Sequence, residues 1–175
     1  MEEKQKIIDA TDTTVEELLN YQIGVELAAE YKYLQLAVFL EFHNWFGFAK
    51  FFKAQAAEER IHAMKFVDHL LDRNIMPKFK AIDTIEIAFS DHEIAAISYA
   101  FDTAYDSEKF VTKCVHALHS VAVGKTDKPA EVLLHWFINE QVEEEDQMLT
   151  WLERVKRAGN NVAALQELDA EAGTR

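Results

Sequence analysis

Almost nothing in this chain interrupts a helix. Five glycines and two prolines are spread over 175 residues, and these are the residues that most readily turn or break a backbone. They divide the chain into four stretches of roughly 30 residues, each about 45 Å long if helical, and a short tail. Apolar residues recur along every stretch at helical spacing. A chain so divided is constrained to long helices packed side by side, not to many short strands.

The punctuation predicts each element. Thr13-x-x-Glu16 and Thr14-x-x-Glu17 both fit a capping box, so the first helix starts at Thr13 or Thr14 and runs to about Phe42. A tight connection at His43-Asn44 leads to a second helix over roughly 45–73, ended by Asn74 and Pro77. Residues 74–90 form a long connection carrying Ile75, Phe79, Ile82, Ile85, Ile87 and Phe89, apolar enough to lie against the bundle. A connection of about 15 residues can run the length of a bundle and make helices two and three parallel. Ser90-x-x-Glu93 opens the third helix, Gly124 stops it, and Asp127 with Pro129 starts the fourth, which ends near Ala158-Gly159. Asn160 or Asn161 caps a last short helix with Val162, Leu165 and Leu168. The expected architecture is an all-α four-helix bundle over 13–171, with one long crossover and a fifth C-terminal helix, preceded by a polar extension over 1–12. One-crossover bundles of this kind are associated with ferritin-like folds.

Charge and composition exclude several partners. The net charge of −13 and pI near 4.9 are the opposite of a nucleic-acid footprint and instead concentrate cations. The N-terminus has no apolar signal core, and no apolar run is long enough to span a membrane. The single cysteine, Cys114, has no partner for an internal disulfide, which makes a reducing cytoplasm the expected location.

The informative residues are acids placed where a core should be. Glu26 shares a helix face with Leu19, Gln22, Tyr33 and Ala37. Glu59 sits among Phe48, Phe52, Ala56, Ala63, Phe66 and Leu70. Glu108 falls between Ile97, Phe101, Ala104, Val115 and Ala122, and Glu144 between Leu133, Phe137, Met148, Trp151 and Val155. A single glutamate on such a stripe is usually a boundary residue whose stem packs while its head reaches water. Four near the midpoints of four helices meet at one depth. Clustered in an apolar core they repel one another and each loses several kcal/mol of hydration unless protonated or paired. No Lys or Arg lies centrally on these stripes, and two divalent cations supply the missing charge.

Glu59-Arg60-Ile61-His62 adds an E-x-x-H, whose spacing puts both side chains on one turn. The motif is weak alone and gains weight from its central position. Oxygen and imidazole donors suit iron or manganese better than calcium, and without thiolates a structural zinc site is disfavoured. Helix four has Gln147 three residues after Glu144, not a second histidine, so the expected site is asymmetric. The remaining histidines (43, 69, 92, 116, 119 and 135) show no convincing ligand spacing.

Taken together, Glu26 seven residues before Tyr33, Ala57-Glu58-Glu59-Arg60-Ile61-His62, Glu108, and Asn139-Glu140-Gln141-Val142-Glu143-Glu144-Glu145 resemble the non-haem ferritins, bacterial and archaeal type especially. The resemblance spans about 15–165. It implies that Glu26 and His62 hold one iron of a di-iron centre, that Glu59 bridges, and that Glu108 and Glu144 hold the second iron with Gln141 nearby. It further implies a third iron site at Glu58, Glu140 and Glu143, a tyrosine at Tyr33 beside the centre, and a tryptophan near it at Trp136. The implied activity is oxidation of Fe(II) by O2, with Fe(III) stored inside a homo-oligomeric shell of twenty-four subunits. Haem is not implied. Glu131 falls where animal relatives have an acid of an iron channel, but Leu134 is apolar where they carry a second. Two rivals stand beside this reading. A non-storage di-iron enzyme, such as a rubrerythrin-like peroxidase or an oxygenase, would usually show a second E-x-x-H. A metal-free interaction bundle, or a small-shell DNA-protecting relative, is opposed by the mid-bundle acids and by the fifth helix with its intra-bundle site.

Overall fold

The computed structural model describes residues 13–82 and 93–174. These form five helices, α1 (Val15–Phe42), α2 (Phe46–Asp72), α3 (Glu93–Gly124), α4 (Lys128–Ala158) and α5 (Val162–Ala172). No strand occurs among the described residues. The N-terminal extension, the Ser90 capping position, His92 and the crossover residues Ile85, Ile87 and Phe89 lie outside them.

Helix boundaries follow local chemistry. Of the two overlapping capping boxes, the one that forms is Thr14 with Glu17: Glu17 N donates to Thr14 Oγ1 at 3.2 Å and Thr14 N to Glu17 Oε2 at 2.9 Å. Asn44 (φ 64°) and Asn74 (φ 56°) take the left-handed conformation that turns the chain out of α1 and α2. At the end of α3 that conformation belongs to Thr126 (φ 54°), while Gly124 is the last helical residue and not the stop the sequence suggested. Asp127 then caps α4 by accepting from Ala130 N at 3.2 Å, and Asn161 caps α5.

The apolar core comes in two halves. One joins the C-terminal half of α1 (Tyr33, Leu36, Leu40), the N-terminal halves of α2 (Phe48, Phe52) and α3 (Ile97, Phe101), and the C-terminal half of α4 (Trp151, Val155). The other joins the opposite ends: Leu19 and Ile23, Phe66 and Leu70, Val115 and Leu118, Leu134 and Phe137. Helices α2 and α3 therefore run parallel to each other and antiparallel to α1 and α4, as a bundle-length crossover requires. The crossover starts pinned to α1, where Lys78 N donates to Asn20 Oδ1 at 2.6 Å and Ile75 packs on the second half-core. Phe79 does not follow Ile75 inward and stays exposed.

Helix α5 closes the first half-core. Trp45 gives α2 no side-chain cap, and the service is performed from 121 residues away: Phe48 N donates to Asp169 Oδ1 at 2.8 Å. This docking needs Gly47, because a Cβ there would stand 1.6 Å from the Asp169 carbonyl oxygen. Lys50 Nζ, bonded to the Gly173 carbonyl at 2.7 Å, pins the same contact.

Candidate metal centre

Between the two half-cores lies a polar layer. Glu26, Glu59, His62, Glu108, Gln141 and Glu144 are all at most 4% exposed, one or two from each long helix. Each sits where a turn of its helix faces the bundle axis, flanked above and below by core residues one or two turns away. No water reaches most of these groups, so their hydrogen bonds must come from the protein.

Only part of that demand is met. Gln22 Nε2 donates to Glu26 Oε1 at 2.9 Å, and the Tyr33 hydroxyl donates to Glu108 Oε1. Glu26 Oε2, Glu59 Oε2, His62 Nδ1 and Glu108 Oε2 are buried with no donor or acceptor in hydrogen-bond geometry. Buried polar atoms left in this state are costly and rare. Four in one layer have two remedies, protons or cations.

The protons come first in the metal-free chain. Burial raises Glu26 well above the usual carboxyl range, with the Glu59 charge adding to it. Burial likewise lifts Glu59, Glu108 and Glu144 each to about 8. Lys32 opposes the burial effect at both Glu59 and Glu108. It reaches toward the layer from α1 and donates to Ser107 Oγ at 2.7 Å. Periodicity could not show this: Lys32 is off the apolar stripe, and its long stem brings the charge round to the acids.

Among the described residues, donor atoms that can share a cation fall into two groups, each lying within 4.8 Å of one another: Glu26, Glu59 and His62, and then Glu58, His62, Glu140 and Glu144. His62 belongs to both, its Nδ1 3.6 Å from Glu59 Oε2 and its Nε2 4.0 Å from Glu140 Oε1. Carboxylates with one imidazole form a hard, mixed donor set suited to iron or manganese. Glu108 lies in neither group, yet the charge of Glu26 acts on it and it acts on Glu144, which places it in the same layer. Glu143 is not brought to the cluster: it is exposed, and Glu144, one residue on, takes the inward place. Trp136 and Phe137 stand edge-on to the His62 ring at 5.6 and 5.8 Å and wall it. Leu134 is fully buried in the second half-core, so it lines no surface route, and Glu131 pairs with Lys128 at 2.8 Å.

Residues 16–158, carrying the whole layer, match the ferritin-like domain of the ferritin family. The chain belongs to the ferritin family. It is 33% identical over 159 residues to a bacterial non-heme ferritin of Staphylococcus aureus, covering 91% of this chain and 93% of that one. It is 36% identical over 161 residues to ferritin BfrB of Mycolicibacterium smegmatis, covering 92% and 86%. Among solved structures, an open pore ferritin from the hyperthermophilic archaeon Archaeoglobus fulgidus superposes with a TM-score of 0.86 at 32% identity, over 95% of this chain and 99% of that one. Iron oxidation and storage, a ferritin-like bundle and assembly with copies of itself come with this membership. No described helix of this ferritin is long and apolar enough to cross a membrane.

Proposed function

We propose that this ferritin oxidises Fe(II) with O2 at the polar layer and stores the Fe(III) inside a twenty-four-subunit shell in the cytoplasm. Glu26 and His62 bind one Fe(II), Glu59 bridges, and Glu108 and Glu144 bind the second, with Gln141 and Tyr33 beside it. Glu58 and Glu140, which share His62 and Glu144 as close neighbours, form a third position. Glu143, exposed on α4, steers iron at the surface. The observation that carries the reading is the set of four buried, unpartnered donor atoms on Glu26, Glu59, His62 and Glu108.

The chemistry follows from what these residues hold. Iron enters as substrate, and its binding displaces protons from carboxyls that burial keeps protonated. Two Fe(II) each lose one electron, and O2 gains two electrons and two protons to leave as hydrogen peroxide. The carboxylates stabilise the higher charge of Fe(III), and the donor set is asymmetric, with imidazole on one side only. Apolar side chains exposed on the single chain, among them Tyr31, Val38 and Phe42 on α1 and Ile61 and Leu71 on α2, support burial against other copies.

Native mass and aerobic Fe(II) oxidation of the wild type and Glu59→Ala test the reading. A large shell with oxidation lost in the variant is expected. A monomer or dimer would remove the storage claim, and undiminished oxidation in Glu59→Ala would remove the site.

A further inference from the structure

Gln141 is buried on α4 beside Glu108, and what it offers the centre depends on how its amide is turned. The two ends of a carboxamide have nearly the same shape and opposite roles. The carbonyl oxygen accepts hydrogen bonds and binds hard cations, whereas the NH2 only donates. The surrounding hydrogen bonds decide which end faces which way.

On the far side of the amide stands the Thr112 hydroxyl of α3, 3.0 Å from Gln141 Oε1 and 2.5 Å from Glu145 Oε1. A hydroxyl has one proton, and both of these oxygens are acceptors. The bond to the Glu145 carboxylate is the shorter of the two and is charge-assisted, so it takes the proton. Thr112 then has only lone pairs for Gln141. Turning its NH2 to Thr112 gives those lone pairs a donor and points the carbonyl at Glu108, where a cation between the two oxygens is the partner that both require. The structure has the opposite orientation, with Oε1 at Thr112, and there the inward NH2 lowers the Glu108 carboxyl.

We propose that Thr112, anchored by Glu145, is a positioning residue that turns the Gln141 carbonyl oxygen toward Glu108 and gives the second iron an oxygen donor. This rests on the assignment of the centre proposed above. Thr112 touches neither iron nor O2; it acts through Gln141, and Glu145 acts through Thr112.

The test is a Co(II) titration of the intact, metal-stripped protein in air, followed by calorimetry and visible absorption, for wild type, Thr112→Val, Thr112→Ser and Glu59→Ala. Valine keeps the shape and removes the hydroxyl; serine restores it. Thr112→Val should weaken the second equivalent about 10- to 100-fold, the range for residues that orient a metal ligand, and leave the first unchanged. Thr112→Ser should bind as wild type. Thr112→Val binding both equivalents normally, or Thr112→Ser failing as Thr112→Val does, overturns the role of Thr112 alone, provided Glu59→Ala has lost binding. Normal binding by Glu59→Ala overturns the centre and this proposal with it.

Discussion

Glu59 Oε2 and His62 Nδ1 stand 3.6 Å apart on one turn of α2, both buried and neither hydrogen-bonded. That separation is too long for a hydrogen bond, yet it suits two atoms that converge on a third between them. Two donors held this way by the backbone of one helix need little rearrangement to bind a cation, so much of the ordering cost is met when the chain folds.

Metal-free protein should lose stability as pH rises. Glu59, Glu108 and Glu144 titrate at about 8 when folded, against a reference of 4.5, because burial disfavours their charged forms. Between those values the folded chain holds more protons than the unfolded one. The contribution is therefore fully present below pH 4.5 and is lost as pH rises through 8. Melting curves of stripped protein should show Tm falling across this window, and Glu59→Gln should flatten the slope. Cation affinity should rise over the same window, since binding requires the deprotonated carboxylates. A slope left unchanged by Glu59→Gln would show that Glu59 does not titrate there.

Tyr33→Phe should slow iron oxidation without unfolding the bundle. The hydroxyl donates to Glu108 Oε1, while the ring packs on Phe52 with centroids 5.9 Å apart. Phenylalanine keeps the packing and removes the Tyr33 donor from Glu108 Oε1. A loss of about tenfold in oxidation rate is expected, by analogy with other residues that orient ligands. Stopped-flow traces that superpose on the wild type would exclude Tyr33 from the centre.

Gly47→Ala should detach α5. The new Cβ would overlap the Asp169 carbonyl, 1.6 Å away, and backbone on both sides leaves nowhere to move. The Phe48 N to Asp169 Oδ1 bond goes with it. The expected cost is about 1–3 kcal/mol, with faster proteolysis of the C-terminal segment. Asp169→Ala removes the cap alone and should cost about 1 kcal/mol. Equal stability of Gly47→Ala and wild type would mean that α5 does not dock as described.

What the sequence made legible was periodic. Glu26, Glu59, Glu108 and Glu144 stood out because a charged residue repeats in phase with an apolar stripe, and that phase is set by the helix itself. His62 followed from its i,i+3 relation to Glu59. The crossover was visible in the length and apolar content of residues 74–90. Contacts made across the bundle were not visible. The Lys32 charge acting on Glu59 and Glu108, the Thr112 hydroxyl between Gln141 and Glu145, and Asp169 capping α2 depend on how far a side chain reaches between helices, and spacing along one helix does not encode that. Glu143 and Glu144 show the limit in the other direction. Adjacent residues on a helix are 100° apart, so the same acidic run sends one carboxylate inward and the next to solvent. The left-handed turn at Thr126 was hidden for a local reason: Gly124 offered the easier residue, but the chain needed the turn two positions later, just before the Asp127 cap.

The most direct measurement is anomalous diffraction at the iron edge from crystals loaded with Fe(II) without oxygen. The account predicts density inside each subunit's polar layer, one ion against Glu26, Glu59 and His62 and a second against Glu59, Glu108 and Glu144, with both lost in Glu59→Ala crystals. Iron found only on the shell surface or in channels between subunits, with the layer still holding protonated carboxyls, would contradict it.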